Sequence, residues 1–299
     1  MKNTLSIVSS ILLLNLNAVC AQSNLLNAKV PQEVGKLNEQ QVLANEVGPI
    51  EYGYVDDRDI IWSKTIWEVI DLDERINFPY YYPTKNNGYL SRERQSLFRV
   101  LMDNIEAGNI NEVYATDYFN EKLTFDDLKP ILEYSILTED GRIKANSGEE
   151  VTQNDYDTYI IDSFKVVQYF IKGTWYFDKR LGELKYRLLG IAPGAPDVST
   201  LADSSAEKVI IPLFWIWFPD ARNILDKHTV FNTKNSSQPI TFDKMLNSRR
   251  FNSVIYKEEN VYEDREVKEY IYEDALRQLL ESERIKSEIR DFEQDMWNN

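Results

Sequence analysis

The chain has very little cysteine and histidine: its 299 residues contain one of each, Cys20 and His228. A cysteine-ligated zinc site and a paired-histidine metal site are therefore excluded. His228 could act as a general base for a serine, but no local motif supplies the nucleophile or the orienting acid, so a loop histidine is the simpler interpretation. The sequence also lacks the glycine-rich phosphate-binding and dinucleotide-binding patterns and the Gly-x-Ser-x-Gly motif of a nucleophilic serine.

Basic residues are scarce relative to acidic ones. Lys and Arg together number 34 against 49 Asp and Glu, so the formal net charge is -15. This charge repels phosphate backbones and anionic membrane surfaces, and it disfavours nucleic-acid binding through a basic face. It is compatible with a basic protein partner. The share of hydrophobic residues, 43%, predicts a folded protein with an ordinary core.

Long apolar stretches are absent except at residues 5–16. That run follows a basic residue and leads to small residues ending at Ala21, which predicts a secretory signal peptide over residues 1–21, cut between Ala21 and Gln22. A membrane helix needs about 20 apolar residues, so a permanent anchor is the weaker alternative. Cys20 could instead carry a lipid, although the residues before it fit a lipoprotein signal poorly. Removal of the signal peptide leaves an exported chain without cysteine.

The remaining sequence predicts an α+β fold of mixed helices and short antiparallel strands that ends in a long helix. We divide it into a flexible N-terminal arm (22–54), an N-terminal lobe (55–145), a C-terminal lobe with a strand meander (146–269) and a C-terminal helix (270–299). The two lobes could be related α/β units, because a valine followed eleven residues later by Thr-Phe-Asp occurs at Val113 and again at Val230. A duplication and a chance match both explain this repeat.

Apolar spacing and capping residues predict the main helices. One helix, capped by Ser91 and ended by Gly108, has on one face Leu97, Val100, Leu101 and Ile105. A short helix is predicted to begin near Thr124. The C-terminal helix carries an apolar stripe formed by Ile285, Ile289, Phe292 and Met296. Such a stripe more often docks on its own domain than on a partner.

Other segments predict extended structure. Residues 78–83 contain two prolines and are predicted to be extended rather than helical. Residues 159–177 predict two strands joined by a turn at Lys172-Gly173, and residues 183–189 predict a third strand of the same meander. After these strands, residues 191–196 predict a rigid loop, and residues 212–219 predict a strand that is buried on both faces.

Paired carboxylates are the only pattern that suggests catalysis, for example at Asp56-Asp57 and Asp126-Asp127. Two carboxylates across a sugar, beside aromatic platforms, are typical of glycosidases, so a periplasmic carbohydrate-active enzyme or glycan-binding module is an alternative. With 49 acids in the chain, however, pairs are expected by chance. We therefore predict no enzyme activity and no catalytic, cofactor-binding or metal-ligating residue. A periplasmic chaperone with a groove for extended peptide is a third, weaker alternative.

Aromatic and arginine residues cluster in three places and predict a surface for binding partners, because protein interfaces are enriched in Trp, Tyr and Arg. The candidate interface residues are Tyr80, Tyr81, Tyr82, Trp215, Trp217, Arg249, Arg250 and Phe251. For the tryptophans, a place in the core is the competing explanation. For the tyrosine run, which lies between two prolines, the two explanations are more evenly balanced.

Six longer strings resemble the GldN/PorN family. They are FPYYYPT (78–84), GTWYFDKR (173–180), GELKYRLLGIAP (182–193), WFPDAR (217–222), RRFNSVIYKEEN (249–260), and IRDFE (289–293) with DMW (295–297). The resemblance extends from about residue 58 to the C-terminus, and only the arm before it departs. Long aromatic strings of this kind rarely arise by chance.

The resemblance implies a periplasmic component of the type IX secretion and gliding-motility machinery. Members of this family assemble with a GldK/PorK-type lipoprotein into a ring beneath the outer membrane, and they contact the inner-membrane protein GldM/PorM. The resemblance thus implies a non-catalytic scaffold that self-associates in a ring and needs no cofactor. It also implies a periplasmic location at the inner face of the outer membrane, held there through the lipoprotein.

Overall fold

The computed structural model describes Val30 and residues 48–85, 94–203, 205–231 and 240–298. Residues 297 and 298 are described by their backbone only. The predicted signal peptide with its cleavage site at Ala21 and Gln22, most of the predicted arm and the predicted cap Ser91 lie outside the described residues. The chain divides into two compact units, Met1–Gly48 and Pro49–Asn299. Every helix and strand of the described residues belongs to the second unit. Within the described residues, no helix is both long and apolar enough to span a bilayer.

The second unit combines eleven strands and eight helices among its described residues. The strands are β1 (Ile60–Asp71), β2 (Val113–Tyr114), β3 (Glu133–Leu137), β4 (Tyr156–Ile160), β5 (Gln168–Asp178), β6 (Glu183–Pro196), β7 (Ile210–Pro212), β8 (Trp215–Trp217), β9 (Thr229–Val230), β10 (Ile240–Thr241) and β11 (Val254–Glu258). The helices are α1 (Phe78–Tyr81), α2 (Leu97–Glu106), α3 (Phe125–Leu132), α4 (Glu139–Ser147), α5 (Phe218–Leu225), α6 (Phe242–Asn247), α7 (Val267–Tyr270) and α8 (Ala275–Asn298). The predicted α+β class with a long C-terminal helix is confirmed.

A seven-stranded antiparallel sheet organises this unit. Its strand order is β11-β1-β5-β6-β8-β2, with β7 pairing to the end of β6, while β3 with β4 and β9 with β10 form two small separate sheets. Strand β1 comes from the predicted N-terminal lobe, and both of its neighbours, β5 and β11, come from the predicted C-terminal lobe. One sheet therefore takes strands from both predicted lobes, and their common origin stays a prediction.

The two faces of the sheet are covered by different side chains, and successive residues of β1 point to opposite faces. Ile66 and Ile70 face the helices: Ile70 belongs to the main core with side chains from α2, α5 and α6, and Ile66 packs with Ile285 and Ile289 of α8. Trp67 points to the opposite face and joins a small aromatic cluster. Each large apolar side chain that is fully buried contributes about 1.5–3 kcal/mol, so the helical face supplies most of the stabilisation.

Helix α2 has the predicted buried face and the predicted end at Gly108, whose φ is 70°. Its cap is Ser96, whose hydroxyl accepts a hydrogen bond from the Arg99 N–H at 3.3 Å. Helix α3 begins after Thr124 with a capping box, as predicted. The prediction of extended structure at 78–83 is wrong for the first four residues, which form α1. Proline is tolerated in a first helical turn because the N–H group that it lacks would have no intrahelical acceptor there.

The predicted turn at Lys172-Gly173 is also wrong, because β5 continues through it from Gln168 to Asp178. The register between β5 and β6 shifts at this point, and a Cβ atom on Gly173 would collide with the Tyr186 ring. The glycine therefore serves a bulge and a close approach rather than a turn. The true hairpin turn precedes Glu183, at Gly182, whose φ is 65°.

The predicted loop at residues 191–196 is the end of β6. Pro193 lacks an N–H, but its carbonyl accepts a hydrogen bond from Leu213 at 2.9 Å, so the strand keeps a partner on that side. The buried strand predicted at 212–219 is shorter than expected. In that range only Pro212, which ends β7, and the three residues of β8 are in strands, because Phe218 already begins helix α5.

Candidate partner-binding surfaces

The predicted interface residues are divided between the core and the surface. Tyr80 and Trp215 are buried, with 0% and 3% of their surface exposed, whereas Tyr82 is 54% exposed. The Tyr80 hydroxyl donates to the carbonyl of Arg250 at 3.4 Å. Of the remaining candidates, Arg250 is exposed, and the others are half-buried: Tyr81, Trp217, Arg249 and Phe251. As partner contacts these residues stay a prediction.

Arg249 is held by a buried carboxylate that the sequence did not single out. Its two terminal nitrogens donate to the Glu68 oxygens at 2.8 and 2.7 Å, and the Ser253 hydroxyl donates to the same carboxylate at 2.8 Å. The guanidinium carbon lies 4.2 Å from the centre of the Tyr186 ring. Burial opposes the charge of Arg249, but the hydrogen bonds with Glu68 outweigh it and raise the pKa of the guanidinium. These side chains connect strand β1 with the segment before β11, and we call them the Glu68 centre.

A second arginine centre fastens the end of the predicted arm. Arg222 donates to Asp243 through Nε at 2.8 Å and Nη2 at 3.1 Å, and it also donates to the Ile50 carbonyl. Its guanidinium carbon lies 4.0 Å from the centre of the Tyr52 ring, and the Tyr52 hydroxyl donates to Asn247 at 2.7 Å. Burial raises the pKa of Tyr52 to about 12. Residues 50 and 52, predicted to be flexible, are therefore attached to the folded body.

Two lysines meet on the face of the sheet that the helices do not cover. Lys172 of β5 and Lys257 of β11 lie on either side of Trp67, with their ammonium groups 4.6 and 4.2 Å from its ring centre. Both donate to Asp117, Lys172 to the carbonyl at 2.9 Å and Lys257 to the carboxylate at 3.0 Å. Burial lowers the pKa of Lys172. The Trp67 indole nitrogen is buried without a hydrogen-bond partner among the described residues.

An open pocket of about 510 Å³ lies next to this face, lined by Glu112, Tyr114, Phe119, Trp217 and Asp220. Its three rings meet edge to face, with centre distances of 5.4 Å for Tyr114–Phe119 and 4.9 Å for Phe119–Trp217. Pairing of β2 with β8 places Tyr114 opposite Trp215, two residues before Trp217, and Phe119 contacts both Tyr114 and Trp217. Gly190 makes room for Phe119, because a Cβ atom there would lie 2.6 Å from the Phe119 ring. We call this site the aromatic–acidic pocket.

Hydrogen bonds orient the two carboxylates of the pocket. One oxygen of Asp220 accepts the backbone N–H groups of Asn111 at 3.0 Å and Glu112 at 3.2 Å. Glu112 accepts from the half-exposed Lys122 ammonium at 2.7 Å and from the Tyr114 hydroxyl. These two hydrogen bonds, that of Lys122 first, lower the pKa of Glu112. The Glu112 carboxyl group is consequently ionised at neutral pH beside three aromatic rings.

Helix α8 shows a second apolar face besides the predicted stripe. Its docked face contains Ile285 and Ile289, and Phe292 stacks on Trp62 at 4.5 Å. Within its first two turns lie three leucines that are spaced for one helical face and are 45–67% exposed: Leu276, Leu279 and Leu280. We call these three residues the α8 stripe. Sequence reasoning missed it because apolar spacing alone does not tell which side of a helix is docked.

The described ranges contain no group of three or more His, Cys, Asp or Glu side chains suited to a metal ion. The fold and these surfaces therefore describe an α+β protein whose notable features are arginine–aromatic centres, one acidic pocket and an uncovered helix face. The family model "Gliding motility associated protein GldN" matches residues 55–298, and the chain belongs to this family. Membership implies a component of the gliding-motility and type IX secretion machinery. A comparison with curated proteins found no match.

Proposed function

We propose that the protein is a non-catalytic structural subunit of the type IX secretion and gliding-motility complex. In this proposal it forms a periplasmic ring with a GldK/PorK-type lipoprotein and contacts a GldM/PorM-type inner-membrane protein. The lipoprotein holds it at the inner face of the outer membrane after the predicted signal peptide is removed. The observation that carries the proposal is the α8 stripe, an uncovered apolar face on a chain of the GldN family.

The α8 stripe has the size and spacing of an interface anchor. Leu276 is 67% exposed and Leu280 is 59% exposed, although they lie one turn apart on a helix whose other face is docked. Clustered exposed apolar side chains on a soluble domain mark partner-binding sites. Each leucine would contribute about 1.5–3 kcal/mol if a partner buried it fully, which is enough to matter in a multi-subunit assembly.

The carbohydrate-active alternative would use the aromatic–acidic pocket, which has carboxylates and rings. A glycosidase needs one carboxyl group with a raised pKa as its general acid. The pKa of Glu112 is instead lowered, because Lys122 and Tyr114 hydrogen-bond to its ionised form. One oxygen of Asp220 accepts two backbone N–H groups, which are contacts to the ionised form of a carboxylate. These contacts support the non-catalytic proposal.

The test is recovery of the complex from cell envelopes in mild detergent, using tagged protein and mass spectrometry. We expect the native chain to recover a GldK-like lipoprotein and a GldM-like protein. Leu276→Gln/Leu280→Gln should recover about tenfold less of at least one of them, because glutamine keeps the helix but removes the apolar contact.

The matched control is Ile143→Gln/Ile160→Gln. Its two isoleucines are 60% and 56% exposed, close to the two leucines, but they lie on α4 and β4. This variant should recover both partners at the native level. Recovery of the native protein alone, as a monomer, would contradict the proposed function. Equal losses in both variants would remove the α8 stripe as its contact.

A further inference from the structure

Two arginine side chains of the protein, Arg222 and Arg249, are held by the same combination of groups. At Glu68 and at Asp243, a carboxylate accepts two hydrogen bonds from one guanidinium group. In each case an aromatic ring lies against the same guanidinium: Tyr186 at 4.2 Å from Arg249, and Tyr52 at 4.0 Å from Arg222. A planar guanidinium suits this combination because it can donate in the plane of a carboxylate and stack on a ring.

The aromatic–acidic pocket contains the same parts without an arginine. It offers two carboxylates, Glu112 and Asp220, beside three rings and a cavity of about 510 Å³. Within the described ranges, neither carboxylate pairs with an arginine, and the Trp217 ring has no cation over it, whereas the Lys172 ammonium lies 5.6 Å from the centre of the Phe119 ring. The sole ion pair recorded for these carboxylates in those ranges is Lys122 with Glu112, at 2.7 Å.

We propose that this pocket binds an arginine side chain of a partner protein. The guanidinium would stack on Trp217 and donate to Glu112 and Asp220, in an arrangement like those of Arg222 and Arg249. The net charge of -15 favours the approach of a basic segment. The inference rests on the proposed function only in taking the partner to be a protein. The chemistry of the pocket stands apart from ring assembly.

Lys122 has a defined part in this proposal. Its ammonium group neutralises Glu112 in the free protein, and its side chain is 53% exposed, so it can leave the carboxylate. An incoming guanidinium must compete with it. Removal of the Lys122 charge should therefore strengthen arginine binding, whereas removal of the Glu112 charge should weaken it. Opposite effects at two paired residues are not expected if both only stabilise the fold.

The experiment uses the full chain, with its six tryptophan indole N–H groups observed by NMR. A Trp217→Phe variant identifies the Trp217 signal. The probe is the blocked tripeptide Gly-Arg-Gly, and the control probe replaces arginine with citrulline, which has nearly the same shape but no charge. We expect the Trp217 signal to move with arginine, with affinity in the millimolar range, and about tenfold weaker binding of citrulline.

Variants then test the roles of the charges. Glu112→Gln should weaken binding of the arginine probe about fivefold, and Lys122→Met should strengthen it about threefold. The matched control is Lys129→Met. Lys129 pairs with Asp126 at the same distance of 2.7 Å and is similarly exposed, at 59%, but Asp126 does not line the pocket. This control should bind the probe as the native chain does.

Three results would overturn the inference: no movement of the Trp217 signal, equal binding of arginine and citrulline, or movement with a chitotriose probe but not with arginine. The last result would assign the pocket to a glycan. The outcome is separate from that of the envelope experiment. A pocket that fails to bind arginine in a protein that still recovers its partners refutes this inference and leaves the proposed function intact.

Discussion

Two neighbouring residues of strand β1 show how differently the two faces of one sheet handle charge. Glu68 faces the helices, is completely buried, and meets one arginine and one serine that satisfy both of its oxygens. Trp67 faces the other way and meets two lysines that both donate to Asp117, Lys172 to its carbonyl and Lys257 to its carboxylate. The first centre is a matched ion pair. The second brings two ammonium groups to one ring, and Lys257 is the one that forms an ion pair with Asp117.

The comparison teaches that of these two neighbouring centres one has a complete charge partner and the other does not. A buried ion pair contributes little net stability over apolar packing, but loss of one partner leaves a charge without compensation. The Glu68 centre should therefore tolerate no change, whereas the Trp67 centre, in which the Asp117 side chain is 19% exposed, should tolerate some. Glu68 also ties together segments 181 residues apart in the sequence.

The largest expected effect is that of Glu68→Gln. It leaves the half-buried Arg249 without its carboxylate and should lower the free energy of unfolding by about 3 kcal/mol. Urea unfolding followed by tryptophan fluorescence measures this loss. The control, Glu183→Gln, removes an exposed carboxylate that lies 3.7 Å from Lys185 and should change stability by less than about 0.5 kcal/mol. Equal effects of the two substitutions would show that the buried ion pair matters no more to stability than the exposed one.

A smaller effect is expected from Asp117→Asn at the Trp67 centre. The substitution removes the carboxylate that Lys257 contacts at 3.0 Å, and the like charges of Lys172 and Lys257 then remain together. Its cost should be about 1–2 kcal/mol, because water can reach this group more easily than Glu68. The same urea experiment measures it. A loss as large as that of Glu68→Gln would show that this loop is as essential as the core pair.

The smallest effect concerns Asp155, a paired carboxylate that directly precedes β4. Hydrogen bonds from Lys144 and Thr152 lower its pKa from 3.8 to about 2. A lowered pKa in the folded state means that Asp155 stabilises the fold above its ordinary pKa and that this contribution is lost as the pH falls through about 2. The difference in unfolding free energy between the native chain and Asp155→Asn should therefore shrink between about pH 4 and pH 2. A constant difference over this range would contradict the shift.

Local signals predicted the helices better than the strands. The face of α2 follows from four apolar residues at helical spacing, and the end of the helix follows from Gly108, because both depend on residues close in sequence. Strand β5 was interrupted in the prediction because Lys172-Gly173 is typical of a turn. Only the ring of Tyr186, brought close by pairing with β6, explains why a glycine is required inside that strand.

The candidate interface was the least predictable part. Tyr80 and Tyr82 are separated by one residue and have the same composition around them, yet one is buried and the other is 54% exposed. The aromatic–acidic pocket was not predicted at all, since its residues come from β2 and the loops on both sides of it, and from β8 and α5. The segment of Glu112 and Tyr114 and the segment of Trp217 and Asp220 are far apart in the sequence, so no local pattern brings them together. Paired acids that are adjacent in sequence did not form this site.

The sequence by itself determined the α+β class, the long C-terminal helix and the resemblance to the GldN family. These properties depend on composition, on short-range spacing and on strings long enough to be specific. The tertiary structure decided which aromatic side chains are core, which arginine meets which carboxylate, and which face of α8 is left uncovered. Burial and charge pairing depend on distances in space between segments that are remote along the chain, so no local pattern contains them.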